Sequence, residues 1–275
     1  KSFLTNAPTT QFANLEDYGT VSFLDSSNDL SSIILKYYNS SGVQIGTENV
    51  SQNVINGGGF SATQDIQRNM FYFGCFPANL RSYGTTVGTP TLFQSLVTAG
   101  TIQGGHYTFQ AFKTVSTNFV TQEYRINLNC PNLKGYESIR LCWLNQWGAW
   151  DYYTFTQKST RNISTKGSTY EQLAGTWNDS SYRVNGFKGG KKTFRVNATE
   201  KIKMNTDFVS ENDNVMFEEL TNSPEVYILA KYSNVFDVTT VLNQYVTPVR
   251  ITSTNFTKKT VANDKLIQYT FEVEK

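Results

Sequence analysis

The sequence predicts an all-β protein, mainly β with one short packed helix, arranged as two sandwich-like or barrel-like domains. Aromatic residues make up 14% of the 275 residues and charged residues only 17%, and the Ser, Thr, Asn and Gln that fill the difference favour strands separated by polar turns. Apolar and polar residues alternate with a period of two in many segments, most clearly at residues 267–274, as half-buried strands do. Only one segment, about residues 210–222, carries full helix start and stop signals.

Three of the four tryptophans fall in residues 140–155. Ile139, Leu141 and Trp143 alternate with polar or small neighbours, a turn follows around Gly148, and the alternation then resumes. This pattern predicts a β-hairpin with a short glycine-containing loop. Trp143 has the parity of a core residue.

The first half of the chain reads as a series of short strands. A hairpin is predicted around the turn at residues 39–42, a nearly all-apolar strand covered on both faces at residues 70–76, and a short helix at residues 91–99. Residues 56–59, Asn-Gly-Gly-Gly, are either a long turn or a loop that moulds to a partner. The polar residues 1–12 suggest an arm that becomes ordered only against something else. Further strands are expected at residues 21–24, 33–38, 107–111 and 120–128.

A polar tract at residues 156–169 contains one apolar residue, Ile163, and cannot bury itself. We therefore predict a boundary between domains at residues 1–157 and 158–275. Beyond it, residues 194–204 alternate as one long strand or two collinear strands. In the helix, Ser210 and Asp213 form a start like a capping box, and Pro224 stops it. Strands are also expected at residues 226–229, 246–251 and 267–273, the last of which either closes a sheet or leaves an edge.

The sequence offers no catalytic signature, no metal site and no cofactor motif. His106 is the only histidine and is expected in a turn, and Asp151 is the only carboxylate in an aromatic setting. Cys75, Cys130 and Cys142 are odd in number and far apart, so we expect reduced thiols. A net charge of +2 and the lack of a long apolar run argue against nucleic-acid binding and membrane insertion.

Two groups of residues are candidates for surface contacts. Aromatic rings on a β scaffold stack against sugars or anchor protein interfaces, although the tryptophan turn could equally fold back and cap the core. The strand at residues 194–204 presents a basic face that is either a solvated strand or a partner for an acidic surface. The aromatic candidates are Trp147, Trp150, Tyr152 and Trp177, and the electrostatic candidates are Arg195, Lys201 and Lys203.

The order of several segments resembles tail-region and baseplate-region structural proteins of tailed bacteriophages. The resemblance is carried by residues 143–155 (WLNQWGAWDYYTF), 202–208 (IKMNTDF), 223–227 (SPEVY), 248–251 (PVRI) and 263–271 (NDKLIQYTF). It implies a non-enzymatic virion subunit, made in the bacterial cytoplasm, that contacts copies of itself and other virion proteins through sheet edges and loops. The alternative is a carbohydrate-binding or receptor-binding module that recognises a host surface glycan.

Overall fold

The protein, seen in a computed structural model, is built mainly of β-strands, which confirms the predicted all-β class. The structure describes residues 3–24, 32–51, 70–82, 91–113, 118–128, 135–172, 175, 180–181, 183, 190–230, 246–253, 255–260 and 266–275. The strands are β1 (Thr10–Ala13), β2 (Thr20–Leu24), β3 (Ser32–Tyr38), β4 (Gln44–Ser51), β5 (Met70–Gly74), β6 (His106–Lys113), β7 (Asn118–Phe119), β8 (Tyr124–Leu128), β9 (Ile139–Leu144), β10 (Trp150–Phe155), β11 (Thr160–Gln172), β12 (Gly190–Asn205), β13 (Val226–Leu229), β14 (Val246–Ile251) and β15 (Thr270–Glu274). The helices are α1 (Pro77–Ser82), α2 (Leu92–Thr98), a 3₁₀ turn (Glu211–Asp213) and α3 (Asn214–Asn222).

The first sheet has the strand order β1-β8-β6-β3-β4, with β7 paired to β6. Ile33, Leu35 and Tyr37 on β3 are all buried, because alternate residues of a strand point to the same face. The separate β2–β5 pair belongs to the same core. The predicted helix at residues 91–99 is confirmed as α2, whose first turn is capped by the Thr91 hydroxyl accepting from the Gln94 N–H at 3.0 Å.

The second sheet has seven strands in the order β10-β9-β13-β14-β15-β12-β11. The strand nearest the C-terminus, β15, lies inside this sheet between β14 and β12, so it leaves no edge. The predicted helix is confirmed as the 3₁₀ turn followed by α3, with the Ser210–Asp213 capping box in place. Met216, Phe217 and Leu220 of α3 are buried in the core of this sheet.

The seven-stranded sheet must curl round its core. The strands β10 and β11 stand at opposite ends of the strand order, and a flat sheet would hold them about 29 Å apart at ~4.8 Å per strand gap. Only residues 156–159 connect them, and five residue steps reach at most ~18 Å. The sheet is therefore barrel-like, and the buried residues of α3 pack into its core.

The tryptophan hairpin, β9 and β10, lies between the two cores. Trp143 and Phe155 belong to the core of the seven-stranded sheet, whereas Tyr152 packs against the core of the first sheet. The predicted hairpin and the core position of Trp143, which has 0% exposure, are confirmed. Because β9 pairs with β13, a cut after residue 157 would divide the seven-stranded sheet. The two-domain boundary stays a prediction, but it does not coincide with the division into sheets.

Some local expectations differ from the structure. The polar tract at residues 156–169 is mostly strand, since its backbone pairs with β12 while its side chains stay exposed. The apolar strand β5 is covered on one face only, because Tyr72 is 44% exposed. The N-terminal segment is ordered against the chain's own hairpin, with Phe3 buried in the first core. The loop at residues 56–59 lies outside the described residues.

Candidate interaction surfaces

The longest hairpin projects beyond its sheet as a two-stranded ribbon, here called the β-arm and defined as residues 160–172 and 190–200. The strands β11 and β12 pair from Thr160 with Lys203 to Gln172 with Gly190. The third strand, β15, pairs with β12 only between Lys201 and Asn205. From Glu200 to Gly190 the ribbon runs for ten residue steps, about 33 Å, without a third strand among the described residues. An isolated two-stranded hairpin is at best marginally stable in water.

The β-arm has two chemically different faces, set by its register. Lys166 lies opposite Asn197, and Ser168 lies opposite Arg195, so that one face carries Lys166 together with Arg195. On the other face Gly167 lies opposite Val196 and Thr165 opposite Ala198. This second face carries the exposed apolar side chains of Ile163 (65%) and Val196 (59%). Phe194 (71%) lies at the register shift of the ribbon, and Tyr170 (46%) lies on the basic face opposite Lys192.

The predicted electrostatic residues lie along the basic face of β12. Arg195 and Lys203 are exposed, and no carboxylate of the described residues pairs with Arg195, which donates instead to Asn197 at 3.1 Å. Lys201 is less available because its ammonium lies 3.6 Å from Glu272 on β15. The two strands of the β-arm together with the rest of β12 carry seven Lys or Arg residues and two Glu residues, so this part of the surface is basic.

A cleft of about 450 Å³ opens where the first sheet, the hairpin and the start of α3 meet. That volume is typical of a pocket that takes a small molecule or a few side chains. Phe12 on β1 is 65% exposed and Phe208 is 58% exposed, and both line this cleft with the carboxylates of Asp207 and Asp213. We call it the acidic cleft. Among the described strands, β1 pairs with β8 alone and so forms the edge of its sheet.

The acidic cleft belongs to a longer acidic segment. Residues 204–230 contain six Asp or Glu residues and no Lys or Arg. Several of these carboxylates have defined local partners. Asp213 accepts from Ser210 in the capping box, and Asp207 accepts from Gln157 at 3.0 Å. Glu218 lies 2.7 Å from the Lys258 ammonium, and Glu219 accepts from the Asn6 amide at 2.7 Å. An acidic first turn also suits the positive end of a helix. The segment is completed by Glu211 and by Glu225, which accepts from the Tyr227 hydroxyl at 3.4 Å.

The aromatic candidates do not form one exposed platform. Trp147 is 53% exposed in the hairpin turn, whereas Trp150 is half-buried and its ring packs edge-on against Tyr227 at 5.7 Å. Tyr152 differs from the expectation of a surface contact: its ring lies 5.5 Å from that of Phe76 and its hydroxyl 3.2 Å from Thr20. Strand parity sends Tyr152 towards the first core, and burial raises its pKa to about 12. Trp177 lies outside the described residues.

Asp151 is a buried anchor for the N-terminal segment. Its carboxylate accepts hydrogen bonds from the Thr5 hydroxyl and, at 3.1 Å, from the Asn145 amide. The same Asn145 amide donates to the Leu4 carbonyl at 3.0 Å. Burial raises the pKa of Asp151 to about 6, although these hydrogen bonds act in the opposite direction. Both oxygens are thus occupied by groups of the chain itself.

Arg140 makes a second connection across the hairpin. Its guanidinium donates to the Tyr18 carbonyl at 3.1 Å and to Thr154 at 2.7 Å, lies 3.4 Å from Asp17, and stacks over the Phe76 ring at 4.4 Å. The ion pair with Asp17 and these hydrogen bonds offset much of the cost of burying the charge, although the Nη2 of Arg140 finds no hydrogen-bond partner among the described residues.

The other reactive side chains have structural surroundings. His106 is the first residue of β6, and its ring stacks on Tyr38 at 4.6 Å; burial and, secondarily, Arg125 lower its pKa. Cys75 and Cys142 are buried free thiols, and Cys130 lies outside the described residues. Within the described ranges, no group of three or more His, Cys, Asp or Glu side chains is placed to hold a metal ion. Nor does any helix there have the length and apolar character needed to cross a membrane.

Sequence reasoning missed two parts of these surfaces. Lys166 shares the basic face with Arg195 through pairing across the hairpin. Residues 156–169 were predicted to be a domain boundary, so no strand and no register were predicted for Lys166. Phe12 and Phe208 are 196 positions apart and meet at the acidic cleft only through the fold. A run of acidic residues without a single base at residues 204–230 was the one signal that could have been used.

A search of known protein families and a search of curated protein sequences each found no match to this chain.

Proposed function

We propose that this chain is a non-enzymatic structural subunit of the virion of a tailed bacteriophage, placed in the tail or baseplate and held there by contacts with its own copies and with neighbouring virion proteins. The observation that carries the self-association is the β-arm. A ribbon that projects about 33 Å with uncovered apolar side chains is typical of a surface that is buried on assembly. The resemblance in residues 143–155 and 202–271 supports the virion context.

The surroundings of Asp151 and His106, the two side chains whose chemistry best suits catalysis, also favour a structural role. Asp151 anchors the N-terminal segment through Thr5 and Asn145, and His106 stacks on Tyr38. Both groups therefore serve packing and hydrogen bonding within the chain. In the proposed mechanism the chain acts through its shape and through many repeated contacts. Each contact between two copies is weak, but their number in a closed assembly makes the particle stable.

Two measurements test this function. Sedimentation of the full chain over a range of concentrations tests self-association, and immunogold labelling of purified particles in negative stain tests the location. We expect concentration-dependent association and gold particles at the tail end. A chain absent from purified particles by mass spectrometry would overturn the virion assignment.

A glycan-binding module is the second candidate, favoured by the 53% exposure of Trp147. Tyr152 is directed inward and Trp150 packs on Tyr227. The exposed surface on which a sugar could stack is therefore smaller than the three rings of Trp147, Trp150 and Tyr152 would give. This candidate predicts saturable quenching of tryptophan fluorescence by host polysaccharide, lost in Trp147→Ala. An unrelated polysaccharide is the control, and quenching that persists in the variant contradicts a role for this ring.

A further inference from the structure

We infer that the β-arm of one copy docks in the acidic cleft of another copy of this chain. The inference rests on the self-association in the proposed function and gives that association a defined contact. It is carried by the reach of the β-arm, by charge and by apolar surface, each of which points to the same pair of surfaces.

The β-arm cannot reach the cleft of its own chain. Val196 lies nine residues before the end of β12 at Asn205, which is about 30 Å along a strand. The acidic cleft begins at Asp207, just beyond that end. The apolar part of the β-arm therefore points away from its own cleft, and only a second molecule brings the two together.

The charges of the two surfaces are opposite. The β-arm and the rest of β12 carry seven basic and two acidic residues, whereas the described residues that line the acidic cleft include Asp207 and Asp213 and no Lys or Arg. Among the described residues, Lys166 and Lys191 make no ion pair. Opposite potentials on two patches steer association and fix its register.

The apolar groups match as well. Tyr170 lies on the face of the β-arm that carries Lys166 and Arg195 and is 46% exposed, and Phe12 and Phe208 at the cleft are 65% and 58% exposed. Contact would remove these three rings from water, which favours association roughly in proportion to the area buried. A cleft of about 450 Å³ has room for a few such side chains rather than for a whole strand pair.

A second copy is the occupant because one chain carries both halves of the pair. Each molecule presents one β-arm and one acidic cleft, so that docking either closes reciprocally between two copies or continues from copy to copy into a ring. A different partner would have to reproduce the same charge and the same exposed aromatic rings.

The test uses three charge-reversal variants of the full chain. The arm variant is Lys166→Glu with Arg195→Glu, and the cleft variant is Asp207→Lys with Glu211→Lys; all four positions are exposed. The control variant, Arg250→Glu with Lys275→Glu, changes the net charge by the same amount as the arm variant on two other exposed positions that do not line the cleft. Asp213 is left intact because it caps the helix.

We expect sedimentation to show that the arm variant and the cleft variant each associate roughly tenfold more weakly than the wild type, whereas the control associates as the wild type does. An equal mixture of the arm and cleft variants should recover association, because every acidic arm then finds a basic cleft and every basic arm an acidic one. Added salt should weaken the wild-type contact. Recovery in the mixture cannot come from misfolded variants, and equal thermal unfolding of all four proteins checks the fold directly.

The outcomes separate the two proposals. If the wild type associates and the arm variant associates equally well, or if the mixture shows no recovery, the β-arm contact is wrong while self-association stands. If the wild type remains monomeric at every concentration, self-association itself fails and the contact fails with it.

Discussion

Replacement of Asp151 by Asn should reduce the loss of stability that accompanies a rise in pH from about 4 to about 6. The carboxyl group is 2% exposed, and burial raises its pKa from 3.8 to about 6. The folded protein therefore binds this proton more tightly than the unfolded chain does. The contribution of this group to the free energy of unfolding is therefore highest in acid and is lost as the pH rises from about 4 to about 6. Over this range the carboxyl group ionises readily in the unfolded chain but not in the folded protein, which favours unfolding.

The size of the effect follows from the shift. One pKa unit corresponds to about 1.4 kcal/mol, so a shift of this size costs the folded state roughly 3 kcal/mol at neutral pH. Between pH 4.5 and pH 7.5 the wild type should lose roughly 2 kcal/mol of unfolding free energy through this residue alone. Asn keeps the shape and can still bond to both neighbours, since the Thr5 hydroxyl can accept as well as donate.

Urea denaturation at the two pH values measures the difference. We expect the curve of Asp151→Asn to depend on pH by roughly 2 kcal/mol less than that of the wild type. The control is Glu16→Gln, which neutralises another carboxyl group of the N-terminal half. If Asp151→Asn and the wild type lose the same free energy between acid and neutral pH, the buried carboxyl is not the group that titrates, and the reasoning is refuted.

Three further predictions concern single side chains. Arg140→Met should destabilise the fold by about 3–5 kcal/mol, because Asp17 then remains buried without its partner; chemical denaturation measures this, and a loss near zero contradicts it. Trp143→Ala should cost about 3–5 kcal/mol as a cavity in the core, whereas Trp147→Ala, at 53% exposure, should change the melting temperature little; equal losses would contradict the assignment of the two rings. Asp213→Ala should remove the capping box and cost about 1 kcal/mol, seen in thermal melts as a small shift that is absent in Asn212→Ala.

The sequence predicted most strands because alternation is a local property. Residues 33–38 and 267–274 needed only the parity of their side chains, and the helix at residues 210–222 needed only its cap, its apolar stripe and Pro224. The strand at residues 160–172 could not be found in this way, because its side chains are exposed on both faces and leave no apolar alternation to detect.

The sequence by itself determined the all-β class, the tryptophan hairpin, the capped helix and the basic parity of Arg195, Lys201 and Lys203, since each depends on residues near one another in the chain. Only the tertiary structure decided that β9 pairs with β13, that Tyr152 faces inward, that Lys166 joins Arg195 on one face and that Phe12 meets Phe208 at a cleft. These are contacts between segments far apart in sequence. They are fixed by strand register and sheet curvature, which depend on the packing of the whole core rather than on any local pattern.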